Sequence, residues 1–349
     1  MKQILRLTVG TAAATVVFAV SAAYPEPLVL ESKIALENIH GRIDHLAMDV
    51  ARQRLFVAEL GNDSVGVIDL KTHKTVRAIA GLREPQGIGY VSSTDTVYVA
   101  NAGDGSVRLF RGVGLAAIGK IPLGDDADNV RVDEVTHRVF VGYGSGELAV
   151  IDAVARTKVA DIPLKAHPEG FQLDGSGRHI FVNLPDAHEI ALVDAVAYKA
   201  LASWPTKDLR GNFPLALDES SGQVLAVFRH PARVGVFDEK DGRLIATFET
   251  CADSDDVFVD ALRRRLYVSC GEGFVDVFAP ASNGYRRLGH LATAAGARTS
   301  LFVPAIDRLF VAIRASATEP AAIWIFRPRS SFATRAATPR WGGIDRPRH

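Results

Sequence analysis

Asp126–Leu164, DADNVRVDEVTHRVFVGYGSGELAVIDAVARTKVADIPL, is the stretch that decides the fold. It holds four short runs rich in β-branched and aromatic residues, VRVD, RVFVGY, ELAVID and KVADIPL. Polar turns of the kind that reverse a chain separate them, so the stretch reads as a four-stranded antiparallel meander. One such meander cannot bury both faces of its own sheet. Partner copies are required, and the rest of the chain supplies them.

An Asp closes the first strand of most copies. Asp133, Asp174, Asp218 and Asp260 follow one another at 41 to 44 residues, and Asp49 stands two periods ahead of Asp133. A second ladder, Asp69, Asp152, Asp194 and Asp238, closes the third strand in step with the first. Four strands in a period of about 40 residues is the signature of propeller blades. Repeats begin near Gly41, Leu82, Asp125, Ala166, Leu209, Ala252 and Ala297, which makes seven. The chain is therefore expected to be all-β, a seven-bladed β-propeller of four-stranded antiparallel blades. The seventh repeat supplies only three strands, and a spare strand, PLVLESKIALENI, precedes the first. That spare strand is expected to pair with Ala322 to Phe326, closing the ring and removing exposed sheet edges.

The chain has 349 residues, 48% of them hydrophobic, with Lys plus Arg equal to Asp plus Glu at 40 each. Zero net charge gives no global pull toward nucleic acid or an anionic membrane, so neither partner is expected. At the N-terminus Lys2 and Arg6 precede an apolar run from Leu7 to Val20, followed by Ser21, Ala22 and Ala23. The run is too short to span a bilayer and reads as a signal peptide over 1–23, with an uncleaved anchor as the other reading. The expected address is the periplasm or the exterior. The propeller is expected over 24–328, and residues 329–349 read as a disordered basic tail, with an interaction arm as the alternative. The two cysteines, Cys251 and Cys270, flank the first strand pair of one blade at the same end; a disulfide and two separate thiols are both open readings.

The repeat phrases RLFVAELGNDSVGVIDLKTHKTVRAI, TVYVANAGDGSVRLF, HRVFVGYGSGELAVIDAVARTKVADIPL and RLYVSCGEGFVDVF resemble the YVTN-type β-propellers over nearly the whole chain after residue 23. The resemblance implies a seven-bladed ring and an extracytoplasmic binding or accessory role. It specifies architecture more sharply than chemistry. The later repeats depart from the consensus in HPEGF, NFPLALD and GARTSLFVP.

In a propeller the first strand of each blade lines the channel, and the segments leading into it share a face with the loops between second and third strands. Aligning the seven inlet segments gives a first column of Asp44, Gln86, Asp128, Glu169, Phe213, Asp255 and Thr299. The next is His45, Gly87, Asn129, Gly170, Pro214, Asp256 and Ser300, and beneath it lie Leu46, Ile88, Val130, Phe171, Leu215, Val257 and Leu301. Polar residues over an apolar wall make a funnel mouth, to which Arg131, His167, Asn212 and Arg298 are added as ligand-binding candidates. So many carboxylates need relief from mutual repulsion: a bound cation, protons held at raised pKa, or counter-charges from Arg131, Arg210 and Arg298. His45, His167, His188 and His230 are expected on the same face. No HxH or HExxH spacing and no GxSxG motif is present. The Asp ladders read as Asx-type turns, and the glycines of GND, GDG, GSG and GEG as turn residues with positive φ.

Two functional classes follow. One is a monomeric binding or accessory propeller whose mouth takes a small molecule or a side chain of another exported protein. The other resembles the lactonase-type propellers, which implies a divalent cation such as Ca²⁺ held by Asp128, Asn129, Glu169 and Asp255 and used to hydrolyse an ester or lactone. A pure interaction scaffold, indifferent to the mouth residues, is the third class.

Overall fold

The computed structural model describes residues 26–282 and 284–330. The expected signal peptide, and all of the expected tail except Arg329 and Ser330, lie outside the described residues. Within them are seven separate four-stranded sheets, each antiparallel and each built in chain order except the last. The first strands of blades one to seven are Leu46–Asp49, Pro85–Val91, Val130–Asp133, Phe171–Leu173, Arg210–Asp218, Ser254–Asp260 and Ser300–Val303. Blade seven runs Ser300–Val303, Arg308–Ile313, Ala321–Pro328 and then Leu28–Leu36 from the other end of the chain. Leu28 stands opposite Pro328 and Leu36 opposite Ala321, with one bulge between Leu30 and Ser32. The closure expected from the spare strand is thus realised, and both ends of the described chain share a blade.

Strand burial explains the sequence pattern. Second strands such as Arg54–Glu59, Thr96–Asn101 and Arg265–Cys270 are buried at nearly every position, because neighbouring blades cover both faces. They therefore read as continuous apolar runs rather than as alternations. The outermost strands, Lys74–Ile79 and Lys199–Pro205 among them, are mostly exposed, because no further strand or blade covers them. The core lies between blades. Seven apolar clusters each join two consecutive blades, from Val65 with Val97 between blades one and two to Ile323 with Leu55 between seven and one.

The Asp ladders sit on the rim away from the inlet segments and are satisfied by their own turns. Asp152 Oδ1 accepts from the amides of Val154 and Ala155 at 2.9 and 2.8 Å, and Asp194 Oδ1 from Val196 and Ala197 at the same distances. Backbone N–H donors hold both carboxyls below the usual range. On the other rim, three of the four glycine turns have positive φ at Gly105, Gly144 and Gly273. In GND the left-handed position falls instead on Asp63, at φ 51°. Cys251 and Cys270 are bonded to one another with their Cα atoms 5.8 Å apart, bracing the inlet that carries Asp253, Asp255 and Asp256.

Candidate functional site

The inlet columns sort by depth along the ring axis. Asp44, Gln86, Asp128, Glu169, Phe213 and Asp255 line a recess of about 230 Å³ at the mouth, so six of the seven first-column residues meet there. His45, Asn129, Gly170, Pro214 and Asp256, from the second column, line a constriction of about 20 Å³ beneath it, room for little more than one water. Deeper still is a chamber of about 390 Å³ walled by Leu46, Ile88, Val130 and Leu301. Glycine is required where backbones crowd: a Cβ on Gly87 would lie 2.1 Å from the Asp128 carbonyl oxygen, and one on Gly170 2.5 Å from that of Phe213.

Charge is divided between two sides of the recess. On one, Asp255 is clamped by Arg229 at 2.8 Å and Arg298 at 3.3 Å, while Arg298 also reaches Asp253 at 2.7 Å. The Arg229 guanidinium lies 3.6 Å from the Phe213 ring centre, a cation–π contact that fixes its plane. On the other side are Asp126, Asp128, His167 and Glu169. His167 Nδ1 lies 2.6 Å from the Gly144 carbonyl oxygen, and its Nε2 lies 3.9 Å from Asp128 Oδ2. Asp128, His167 and Glu169 each present one ligand atom such that the three lie within 4.8 Å of one another.

His45 lies at the floor of the recess, with Nε2 3.7 Å from Asp44 and Nδ1 3.8 Å from Asp256. Burial works against its charged form. The Asp256 carboxylate outweighs that, with Asp44 and Asp128 behind it, and pushes the imidazolium up to about 10. Asp44 is raised by burial, against the pull of His45 and Arg42, the latter at 2.8 Å. Glu169 is raised by burial and then by the charges of Asp128 and Asp255; Asp255 is raised by burial despite its two arginines. Asp256 itself is anchored by the Ser300 amide at 2.7 Å.

Several expected residues stand elsewhere. Asn212 is fully buried behind the wall, its amide donating to Asn183 Oδ1 and the Glu189 carbonyl, so it braces blades four and five rather than facing the recess. Thr299 is buried and donates to the Ile43 carbonyl at 3.3 Å, tying blade seven to blade one. Arg131 lies below the mouth, bonded to its neighbour's carbonyl, and 5.4 Å from the Phe171 ring centre. Arg210 bonds to the carbonyls of Lys207 and Leu209 and makes no ion pair with a mouth carboxylate among the described residues. Arg298 takes the counter-charge role expected of it, and Arg229, which was not expected there, shares it from the end of a second strand that the inlet alignment did not include. His188 and His230 are exposed and outside the recess, leaving His45 and His167 as its histidines.

Neither a protein-family model nor a curated protein matches the chain. Among solved structures it is similar to a chain of the Kuenenia stuttgartiensis hydrazine synthase, with TM-score 0.70 and 14% identity, covering 85% of this chain and 96% of that one. It is also similar to a chain from the crystal structure of the mitotic checkpoint complex, with TM-score 0.72 and 13% identity, covering 93% of this chain and 98% of that one. Likeness at such identity establishes the propeller fold alone.

Proposed function

We propose that this chain is an exported YVTN-type propeller that binds a small polar ligand, or one side chain of an exported partner, in the mouth of its ring. The observation that carries the reading is the mouth itself. Seven modules alike in strand pattern contribute unlike inlet residues there, and six of these meet in one charged recess. A scaffold role gives no reason to gather buried carboxylates whose pKa values are raised by burial, since each costs stability. Export is supported by the Lys2–Ala23 pattern and by the Cys251–Cys270 bond, which suits an oxidising compartment. Among the described residues no helix is long and apolar enough to cross a membrane.

Thermal unfolding against a panel of amino acids, hydroxy acids and short peptides tests this. A bound ligand is expected to raise the melting temperature, and Asp255→Asn or Arg229→Ala to abolish the rise. If mouth substitutions are silent while outer-strand ones, such as Val159→Lys, remove partner capture, the chain is a scaffold. A second reading, a divalent-metal hydrolase of the lactonase-like type, draws on the convergence of Asp128, His167 and Glu169. It requires metal-dependent turnover of an ester or lactone that Glu169→Gln eliminates.

A further inference from the structure

We infer that Asp128, His167 and Glu169 form the binding site of a single divalent transition ion of the Zn²⁺ or Mn²⁺ class, with open positions toward the recess for water or an anionic ligand. Three ligand atoms within 4.8 Å of one another can close on a central ion whose bonds are about 2.0–2.2 Å, after each shifts by up to about 0.7 Å. Two independent observations point to a cation there.

One is the orientation of His167. The Gly144 carbonyl can only accept, so at 2.6 Å the proton of that bond belongs to Nδ1. A neutral ring held this way presents the Nε2 lone pair to the recess, and a backbone carbonyl behind a ligating imidazole is the usual outer partner of a metal-bound His. Asp128 Oδ2 is 3.9 Å from Nε2, too far for a hydrogen bond and suited to an ion between them.

The other is Asp128. Its side chain is 9% exposed, it lines the recess, and its Oδ1 has no hydrogen-bond partner. A buried carboxylate oxygen without a donor is costly. Arginine relief does not reach it: Arg229 and Arg298 are committed to Asp253 and Asp255, and Arg42 to Asp44. Among the described residues no Lys or Arg nitrogen lies within ion-pair distance of Asp128 or Glu169. Two carboxylates facing one imidazole leave a charge that a divalent ion balances.

The donor set selects the ion. Ca²⁺ takes six to eight oxygens, whereas imidazole nitrogen with two carboxylates suits Zn²⁺, Mn²⁺ and their neighbours. This set differs from the Asp128, Asn129, Glu169 and Asp255 grouping expected with Ca²⁺, because Asp255 is already neutralised by two arginines. Three protein ligands leave the ion coordinatively open, as in sites that bind a further ligand.

The inference shares its location with the binding reading above, and the metal alone tests it. Chelator-stripped mature protein is titrated calorimetrically with ZnCl₂, MnCl₂ and CaCl₂. One equivalent of Zn²⁺ or Mn²⁺ is expected, bound much more tightly than Ca²⁺, with affinity falling about 100-fold in His167→Ala and in Asp128→Asn. His188→Ala, an exposed control, keeps full affinity. Should a variant fail to fold, the wild-type protein still decides: the His167 Nε2 nitrogen resonance must shift when Zn²⁺ is added. An unshifted resonance, binding that survives both ligand substitutions, or equal preference for Ca²⁺ overturns the inference. Metal binding without any organic ligand overturns only the binding reading, and ligand binding that persists in chelator without metal uptake overturns only this one.

Discussion

The two rims of the ring use the same residue type to opposite ends. On the far rim, aspartates recur at matching strand ends in most blades, and their carboxylates are met by the amides or hydroxyls of their own turns, as at Asp69, Asp133 and Asp218. At the mouth the carboxylates differ from blade to blade, gather around one recess, and in Asp128 leave a buried oxygen without a donor. Repeated and satisfied groups hold a fold together. Unrepeated and unsatisfied ones lower stability, and a protein retains them where something else gains from them.

The contrast predicts a gradient of effects. Asp260→Ala should cost most, about 3 kcal/mol by urea unfolding. Its buried carboxylate accepts from the Arg263 amide, the Arg263 guanidinium and the Tyr267 hydroxyl, at 3.1, 3.0 and 2.6 Å, and its loss removes one of the two carboxylates paired with buried Arg263. Arg229→Ala at the mouth should cost less, about 2 kcal/mol, since Arg298 continues to hold Asp255. An effect nearer 4 kcal/mol would make that clamp as structural as the far rim. His45→Gln sharpens the comparison through pH. The folded-state pKa is raised, so the stabilisation from its charge is complete below the unfolded value of about 6.5 and is lost as pH rises through about 10. The variant should therefore unfold earlier than wild type at pH 6, and the gap should close by pH 10.5. A pH-independent gap would mean that His45 acts through packing alone. Smallest on the stabilising side is Asp152→Ala, about 1 kcal/mol, because its turn is partly solvated and water replaces the lost acceptor.

The ring and its blade count were legible in the sequence because both Asp ladders are local devices: an Asx turn needs only its own neighbours, so the period survives in the residue string. Closure by Leu28–Leu36 was legible by subtraction, since blade seven lacked a strand. The inlet columns also transferred, placing Asp44, Gln86, Asp128, Glu169, Phe213 and Asp255 together, because strand register carries one blade's depth scale to the next. The counter-charges transferred only in part, since Arg298 pairs with Asp253 and Asp255 as expected and Arg131 and Arg210 do not. Arg229 enters from a second strand and Arg210 turns away to backbone carbonyls, and side-chain direction at a strand end is set by three-dimensional neighbours. Asn212 and Thr299 failed for the same reason, each drawn into a bond between blades. Of the set Asp128, His167 and Glu169, the two carboxylates share the first column and were legible there; His167 stands outside the columns, and its bond to the Gly144 carbonyl, which orients the ring, is not visible in sequence.

The claim that the mouth is kept for binding and not for stability is tested most directly by the unfolding midpoint of the Asp128→Asn/Glu169→Gln double variant in metal-free buffer. The midpoint is expected to equal or exceed that of the wild type, because the cost of holding two poorly compensated carboxyls in a buried site is removed while shape is preserved. A midpoint lowered as far as that of Asp260→Ala would contradict it, and would make the mouth carboxylates part of what holds the ring together.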